Sequence, residues 1–215
     1  LDLLQSSVSA GSPPKEVILN DEQSAAYERL CELSDDASAK AALLHGVTGS
    51  GKTCVMLSLI DKLLDEDKGV IVLLPEIALT PQSVAIFCAR YGTRVAVIHS
   101  GLSAGERYDA YCRIRDGRAD VVIGTRSAVF SPVKNLGAII IDEEQEHTYK
   151  SDQNPKYHTR DIARYRCAHN KALMLLSSAT PSLESYQKAK EGTYTLITLR
   201  HRFGSAKLPE VKVAD

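Results

Sequence analysis

The sequence predicts an α/β domain: a sheet of about seven mainly parallel strands with helices on both faces. Three observations predict it. Seven short apolar runs recur along the chain, helical patterns fill most of the gaps, and a phosphate-binding signature joins the first run to the helix after it. A strand buried on both faces reads as a continuous apolar run, and parallel neighbours need a crossover, usually helical.

Taken in order, residues 1–17 hold "QSSVSAGSPPKE" and read as a linker. The folded region is expected over 18–199. It opens with "LNDEQSAAYERLCEL", whose apolar positions recur every three or four residues, as on one face of a helix. The strand candidates are "AALLHG" (41–46), "VIVLLP" (70–75), "VAVIHS" (95–100), "ADVVIGT" (119–125), "AIIID" (138–142), "ALMLLSS" (172–178) and "YTLITL" (194–199). Helices are expected over Lys52–Asp65, Pro81–Tyr91, Ala104–Asp116, His158–Ala168 and Ser182–Glu191. The tail "RHRFGSAKLPEVKVAD" (200–215) reads as a connector.

Bulk properties narrow the classes. A length of 215 residues suits one large domain with a real core. Net charge is −1, so any nucleic-acid site must be a local patch rather than a global basic field. Apolar runs of five to seven residues are too short to span a bilayer, and no basic segment followed by an apolar one opens the chain, so neither a membrane span nor a secretory signal is expected. The chain starts at Leu1 rather than Met and reads as part of something longer. Five scattered cysteines without a C-x-x-C pair point to free thiols in a reducing cytoplasm, not to metal ligands or disulfides.

"GVTGSGKT", Gly46 to Thr53, matches G-x-x-x-x-G-K-[ST] between a predicted strand and a predicted helix. Gly49 and Gly51 permit backbone angles that aim successive N–H groups into one concavity at a helix N-terminus. The loop, with Thr48 and Ser50, is thereby a phosphate cradle. Lys52 reaches β- and γ-phosphates and Thr53 offers a hydroxyl to Mg²⁺. Gln23 has two readings: far member of a capping box with Asn20, or an amide against the purine edge of a nucleotide.

"AIIIDEEQEHTYK" (138–150) ends an apolar run on three consecutive acids. Beside a phosphate loop, Asp142 reads as the Mg²⁺ acid and Glu143 as the carboxylate orienting the attacking water. Glu144, Gln145 and Glu146 are left unassigned from spacing, and any of them could be surface. "SSATPS" (177–182) offers Ser178 and Thr180 at another strand end, either to sense the γ-phosphate or simply to cap a helix behind Pro181. Thr125 and Arg126 in "GTRSAVFSP" (124–132) either grip a phosphodiester or close a strand.

These motifs, in this order, resemble the first motor lobe of the superfamily-two helicases, a RecA-like ATP-binding domain. "PEIALTPQ", "HSGLSAGER", "GTRSAVFSP", "IIIDEEQEHTYKSDQNPKYHTRDIARYR" and "SSATPSLES" resemble more closely the primosomal protein N′ (PriA) family of replication-restart helicases, from about Ile18 onward. The resemblance implies ATP and Mg²⁺ as cofactors, with Gln23 reading adenine and Lys52, Asp142 and Glu143 as the catalytic set. It assigns Thr125 and Arg126 to a strand-contacting motif, and Ser178, Ala179 and Thr180 to the link between hydrolysis and movement. One departure is "DEEQ" where that family carries DEEH, which bears on the coupling contact made at Gln145.

The resemblance also accounts for residues 147–166, where five cations face two acids. There His147, Tyr149, Lys150, Tyr157, His158 and Arg160, with Tyr165, Arg164 and Arg166, would form or flank an aromatic-rich loop that stacks on single-stranded DNA and reports to the ATP site. It implies single-stranded and forked DNA, single-stranded-DNA-binding protein and primosome loading proteins as partners, a nucleoid-associated location in the cytoplasm, 3′-to-5′ polarity, and zinc only in parts not found in these residues. Neither a second motor lobe nor its arginine finger follows Thr180, so the fragment alone is expected to bind nucleotide and hydrolyse it weakly. The alternatives are another superfamily-two translocase, a small-molecule phosphotransferase, for which no Arg-rich lid is present, or a nucleotide-gated binding module.

Overall fold

The structure, a computed structural model, describes residues 17–36, 38 and 40–202. The expected linker therefore lies outside the described residues apart from Val17, and the expected connector apart from residues 200–202. The strands are β1 (Lys40–Gly46), β2 (Gly69–Leu73), β3 (Val95–Ile98), β4 (Val121–Gly124), β5 (Leu136–Asp142), β6 (Leu173–Ser178) and β7 (Thr195–Leu199). The helices are α1 (Asp21–Asp35), α2 (Lys52–Asp65), α3 (Pro81–Tyr91), α4 (Ala104–Arg115), α5 (Thr159–Asn170) and α6 (Leu183–Lys190). Three short 3₁₀ turns, at Gly92–Arg94, Arg126–Phe130 and His147–Tyr149, sit in the connections.

Helix starts follow local chemistry. Capping boxes open α1 (Asn20 with Gln23), α3 (Thr80 with Ser83, Pro81 in the first turn) and α4 (Ser103 with Glu106). His158, expected as the first helical residue, is instead the N-cap of α5: its Nδ1 accepts from the Arg160 N–H at 3.2 Å.

The strands form one sheet in the order β3-β4-β2-β5-β6-β1-β7, every neighbouring pair parallel. The strand period of two divides the core. Ala138 and Ile140 of β5 pack with Leu30, Leu59, Leu63 and Phe87 under α1, α2 and α3; Ile139 and Ile141 pack with Ile114, Ala163 and Cys167 under α4 and α5. Both faces are thus covered. Each fully buried Leu or Ile contributes roughly 1.5–3 kcal/mol. All five cysteines are free.

Because the sheet is parallel, every strand delivers its C-terminal end to one rim. β5, β6 and β1 are adjacent there. The phosphate loop leaves β1 and the acids leave β5, with one strand between them, at about 4.8 Å per strand step.

Candidate nucleotide site and its coupling network

Gly46 ends β1, and a Cβ on it would lie 2.6 Å from Ser50 Oγ and 2.9 Å from Leu199 Cβ, so the loop folds back tightly only on a glycine. Gly49 and Gly51 take φ of 79° and 83°, left-handed values that favour glycine. Gly51 is the N-cap of α2 and caps with no side chain, which leaves the helix start facing the loop. Lys52 is 9% exposed; its Nζ donates to the Gly46 carbonyl at 2.7 Å and so folds over the loop. Ser50 Oγ is buried without a hydrogen-bond partner. Gln23 is fully buried and does two local jobs. It completes the capping box of α1, and its Nε2 donates to the Ser50 carbonyl at 2.9 Å. Both ends of its amide are engaged within the protein.

Across β6, Asp142 ends β5 beside Ser177, whose Oγ donates to Asp142 Oδ1 at 2.7 Å. Burial pushes the Asp142 carboxyl above its ordinary range; the Glu143 charge adds to this, while the Ser177 bond and the Lys52 ammonium oppose it. Glu143 has φ of 46°, an uncommon backbone for a residue with a side chain. Thr48 to Thr53, Asp142 and Glu143 line a single open cleft of about 360 Å³. The donor set, the glycine-built cradle and the orphaned Ser50 hydroxyl fit a magnesium-bound triphosphate.

Gln145 and Glu144 extend this site. Gln145 Nε2 donates to Glu143 Oε2 at 3.0 Å, and Gln145 Oε1 accepts from Ser178 Oγ at 2.6 Å. Ser178 Oγ in turn accepts from the Thr180 N–H at 2.9 Å. An unbroken chain of hydrogen bonds therefore runs from Glu143 to the "SSATPS" segment, and the amide at the departing fourth position bridges it. Glu144 is no surface acid. Its side chain is 1% exposed and accepts from the Ser182 N–H, Ser182 Oγ, Ser185 Oγ and Arg160 Nη1.

Comparison with known proteins decides the family: residues 20–189 match the model of the DEAD/DEAH box helicases. The chain belongs to that family. Replication restart protein PriA from Bacillus subtilis (strain 168) is 50% identical over 197 residues, which cover 92% of this chain and 24% of that protein. Its namesake from Synechocystis sp. is 46% identical over 178 residues, 80% of this chain and 21% of that one. This helicase lobe thus spans about a quarter of the length of the curated relatives it matches. The structure of RecG bound to a three-way DNA junction superposes with a TM-score of 0.66 at 22% identity, over 96% of this chain and 26% of that one. The fold is the RecA-like motor lobe of helicases.

The remaining expected residues of the helicase lobe are only partly gathered on one surface. Thr125 is buried and precedes the Arg126–Phe130 turn. Arg126 donates to the Lys150 carbonyl at 2.9 Å, tying that turn to the 147–158 segment. His147 and Lys150 are exposed, Tyr157 is partly exposed, and the Phe130 ring meets Tyr157 edge-on at 5.2 Å. Tyr149 departs from expectation. It is 1% exposed, and its hydroxyl lies 2.6 Å from the Asp142 carbonyl and 2.9 Å from the Leu73 carbonyl. Its ring fills core under the acids and is closed to a base, and burial pushes its phenol well above the ordinary range. Arg160 departs too. It is spent on Glu144, Ser182 and Ser185 and does not face solvent as a backbone-tracking cation. Arg166 Nη1 donates to the Val129 carbonyl, whereas Arg164 and Tyr165 are exposed. Burial, then the nearby Arg160 charge, holds His158 below its usual pKa. Ser178 is fully buried and Thr180 exposed. Inward or outward direction in this irregular stretch follows no sequence period, so Glu144 carried no signal of its role, whereas the family resemblance marks Gln145 as a coupling position.

Proposed function

We propose that this chain is the ATP-binding motor lobe of a 3′-to-5′ DNA helicase that acts in primosome assembly and restart of stalled replication forks. The carrying observation is that Lys52, Thr53, Asp142 and Glu143 line one cleft at the C-terminal rim of the sheet. The names of the curated relatives, and DNA in a structure of the same fold, support the replication context. The proposed boundaries are a linker to residue 17, the lobe over 18–199 and a connector from 200.

In this reading the 46–53 loop holds the triphosphate through its N–H groups, and Lys52 leaves the Gly46 carbonyl for the β- and γ-phosphates. Thr53 and Asp142 would hold magnesium, which when bound supplies positive charge against the phosphate oxygens. Glu143 orients and deprotonates the attacking water. The Gln145–Ser178–Thr180 chain carries the change at Glu143 toward the adjoining segment. Gln23 is assigned to the adenine edge only if it gives up its present bonds to Asn20 and Ser50, which hold both ends of its buried amide. Arg126, His147, Lys150 and Tyr157 are assigned to single-stranded or forked DNA, with stacking worth about 1–3 kcal/mol per base, and buried Thr125 to holding the turn that carries Arg126. The assigned partners in the cell are single-stranded-DNA-binding protein and primosome loading proteins, at the nucleoid. Among the described residues no helix is long and apolar enough to cross a membrane.

The test is ATP hydrolysis and fork unwinding by the complete protein and by these 215 residues. The complete protein should hydrolyse ATP faster with single-stranded DNA and unwind forks. Lys52→Ala should abolish unwinding and leave fork binding largely intact. The 215 residues alone should bind nucleotide, hydrolyse it slowly and unwind nothing, since an arginine supplied from elsewhere is worth roughly 10³–10⁵ in rate in related enzymes. Unwinding that survives Lys52→Ala would overturn the reading.

A further inference from the structure

We propose that Glu144 and Arg160 form a buried clamp that positions Glu143, and that movement of the 147–158 segment reaches the hydrolytic carboxylate through it. The proposal rests on the reading of Glu143 as general base.

The need for a clamp lies in the backbone. Glu143 has φ of 46°, and such a conformation persists only where its surroundings hold it. On one side stands Asp142, the last residue of the β5–β6 ladder. On the other stands Glu144, whose N–H donates to the Ser177 carbonyl at 3.1 Å. The Glu144 carboxylate then takes donors from two other elements: the Ser182 N–H at 2.7 Å and Ser185 Oγ at 2.9 Å from the start of α6, and Arg160 Nη1 at 3.1 Å from the first turn of α5. With three elements meeting on one side chain, the residue after Glu143 cannot rotate independently of α5 and α6.

Stability alone does not call for this arrangement. Apolar side chains of similar volume often serve a buried site as well as an ion pair does. Charge-assisted bonds add direction, because they fix angles as well as distances. Arg160 is also the inward end of a hydrogen-bonded unit that includes the 147–158 segment. Thr159 Oγ1 donates to the Tyr149 carbonyl at 2.8 Å, Lys150 bridges to His158, and Arg126 holds the Lys150 carbonyl. A displacement of that segment moves the start of α5, and with it the guanidinium.

The grip itself has room to change. Arg160 holds Glu144, Ser182 and Ser185 with Nη1 alone, while its buried Nε has no partner. A fork-on-fork contact would present Nε and Nη together to one carboxylate. Turning the guanidinium toward it would use the idle donor and re-aim Glu144. Glu143, its chain neighbour, would follow.

The experiment compares intact wild-type protein with Glu144→Gln, Arg160→Lys and the apolar pair Glu144→Leu with Arg160→Met. It reads kcat and KM for ATP with and without single-stranded DNA, DNA affinity, and thermal unfolding. The apolar pair, which leaves the Ser182 N–H and Ser185 Oγ without the carboxylate, should still fold, with a lowered unfolding temperature, and lose about 10–100-fold in kcat, the range typical of partners that orient an active-site ligand, with KM for ATP nearly unchanged. The single variants should lose about as much as the pair, because the two side chains act as one unit. Should the apolar pair not fold, Glu144→Gln, which keeps shape and most hydrogen bonds, reads the same split. Wild-type kcat in a folded pair, or in Glu144→Gln, would reduce the cluster to a structural one and overturn the proposal. So would an Arg160→Lys variant that loses DNA affinity while kcat stands. If wild-type protein shows no response to DNA, the helicase reading fails, and basal kcat in the same variants still decides the clamp.

Discussion

The phosphate loop and the stretch from Asp142 to Arg160 share one rim of one sheet, yet they are built on different principles. The loop works through its backbone. Two left-handed glycines shape it and a helix start without a side-chain cap faces it, with Lys52 and Thr53 following at fixed spacing. The second stretch works through which of its side chains turn inward. Glu143 faces the cleft, Glu144 is buried behind it, Gln145 bridges to Ser178, Tyr149 fills core and Arg160 closes the buried cluster. A backbone site is therefore local and readable as a motif. A site made by burial depends on elements distant in sequence, here Ser177, Ser182 and Ser185.

The largest effect is expected at Glu143. In the complete protein Glu143→Gln should lower kcat by about 10²–10⁴, the range of a lost general base, while nucleotide affinity and folding persist. A kcat within tenfold of wild type would remove Glu143 from the chemistry. Next come the rings. Tyr149→Ala should cost about 3–5 kcal/mol of stability, as expected for a large buried side chain. Chemical denaturation measures it, and a loss below about 1 kcal/mol would mean that the ring is not core. Tyr157→Ala, at a ring only partly buried against the core, should cost less stability than Tyr149→Ala and weaken single-stranded DNA binding by about 1–3 kcal/mol. Equal behaviour of the two tyrosines would erase the contrast.

The smallest effect concerns Asp142. Burial raises its folded-state pKa above the unfolded one. The folded state therefore binds the proton more tightly, and the favourable contribution is present at low pH and lost as pH rises through the folded value. In nucleotide- and metal-free protein at neutral pH, Asp142→Asn should raise the unfolding temperature. The gain should shrink as pH falls toward the carboxylate range. A lower unfolding temperature at pH 7 would show that the carboxylate is better solvated than its surroundings suggest.

Much of this protein was legible in the chain itself. Continuous apolar runs reveal strands buried on both faces, since parallel pairing leaves no exposed face to alternate toward. The α2 and α3 boundaries coincide with the expected ones because capping and helix-start chemistry is local: a free glycine N-cap at Gly51 and a Thr80–Pro81–Ser83 start. The 46–53 cradle is legible for the same reason. Strand order was not, because parallel pairing is decided by crossovers and packing. Nor were the inward turns of Glu144, Tyr149 and Arg160. A residue outside a regular period points wherever neighbours distant in sequence leave room and hydrogen-bond partners, and only the assembled sheet, with β5, β6 and β1 side by side, brings those neighbours to the acids.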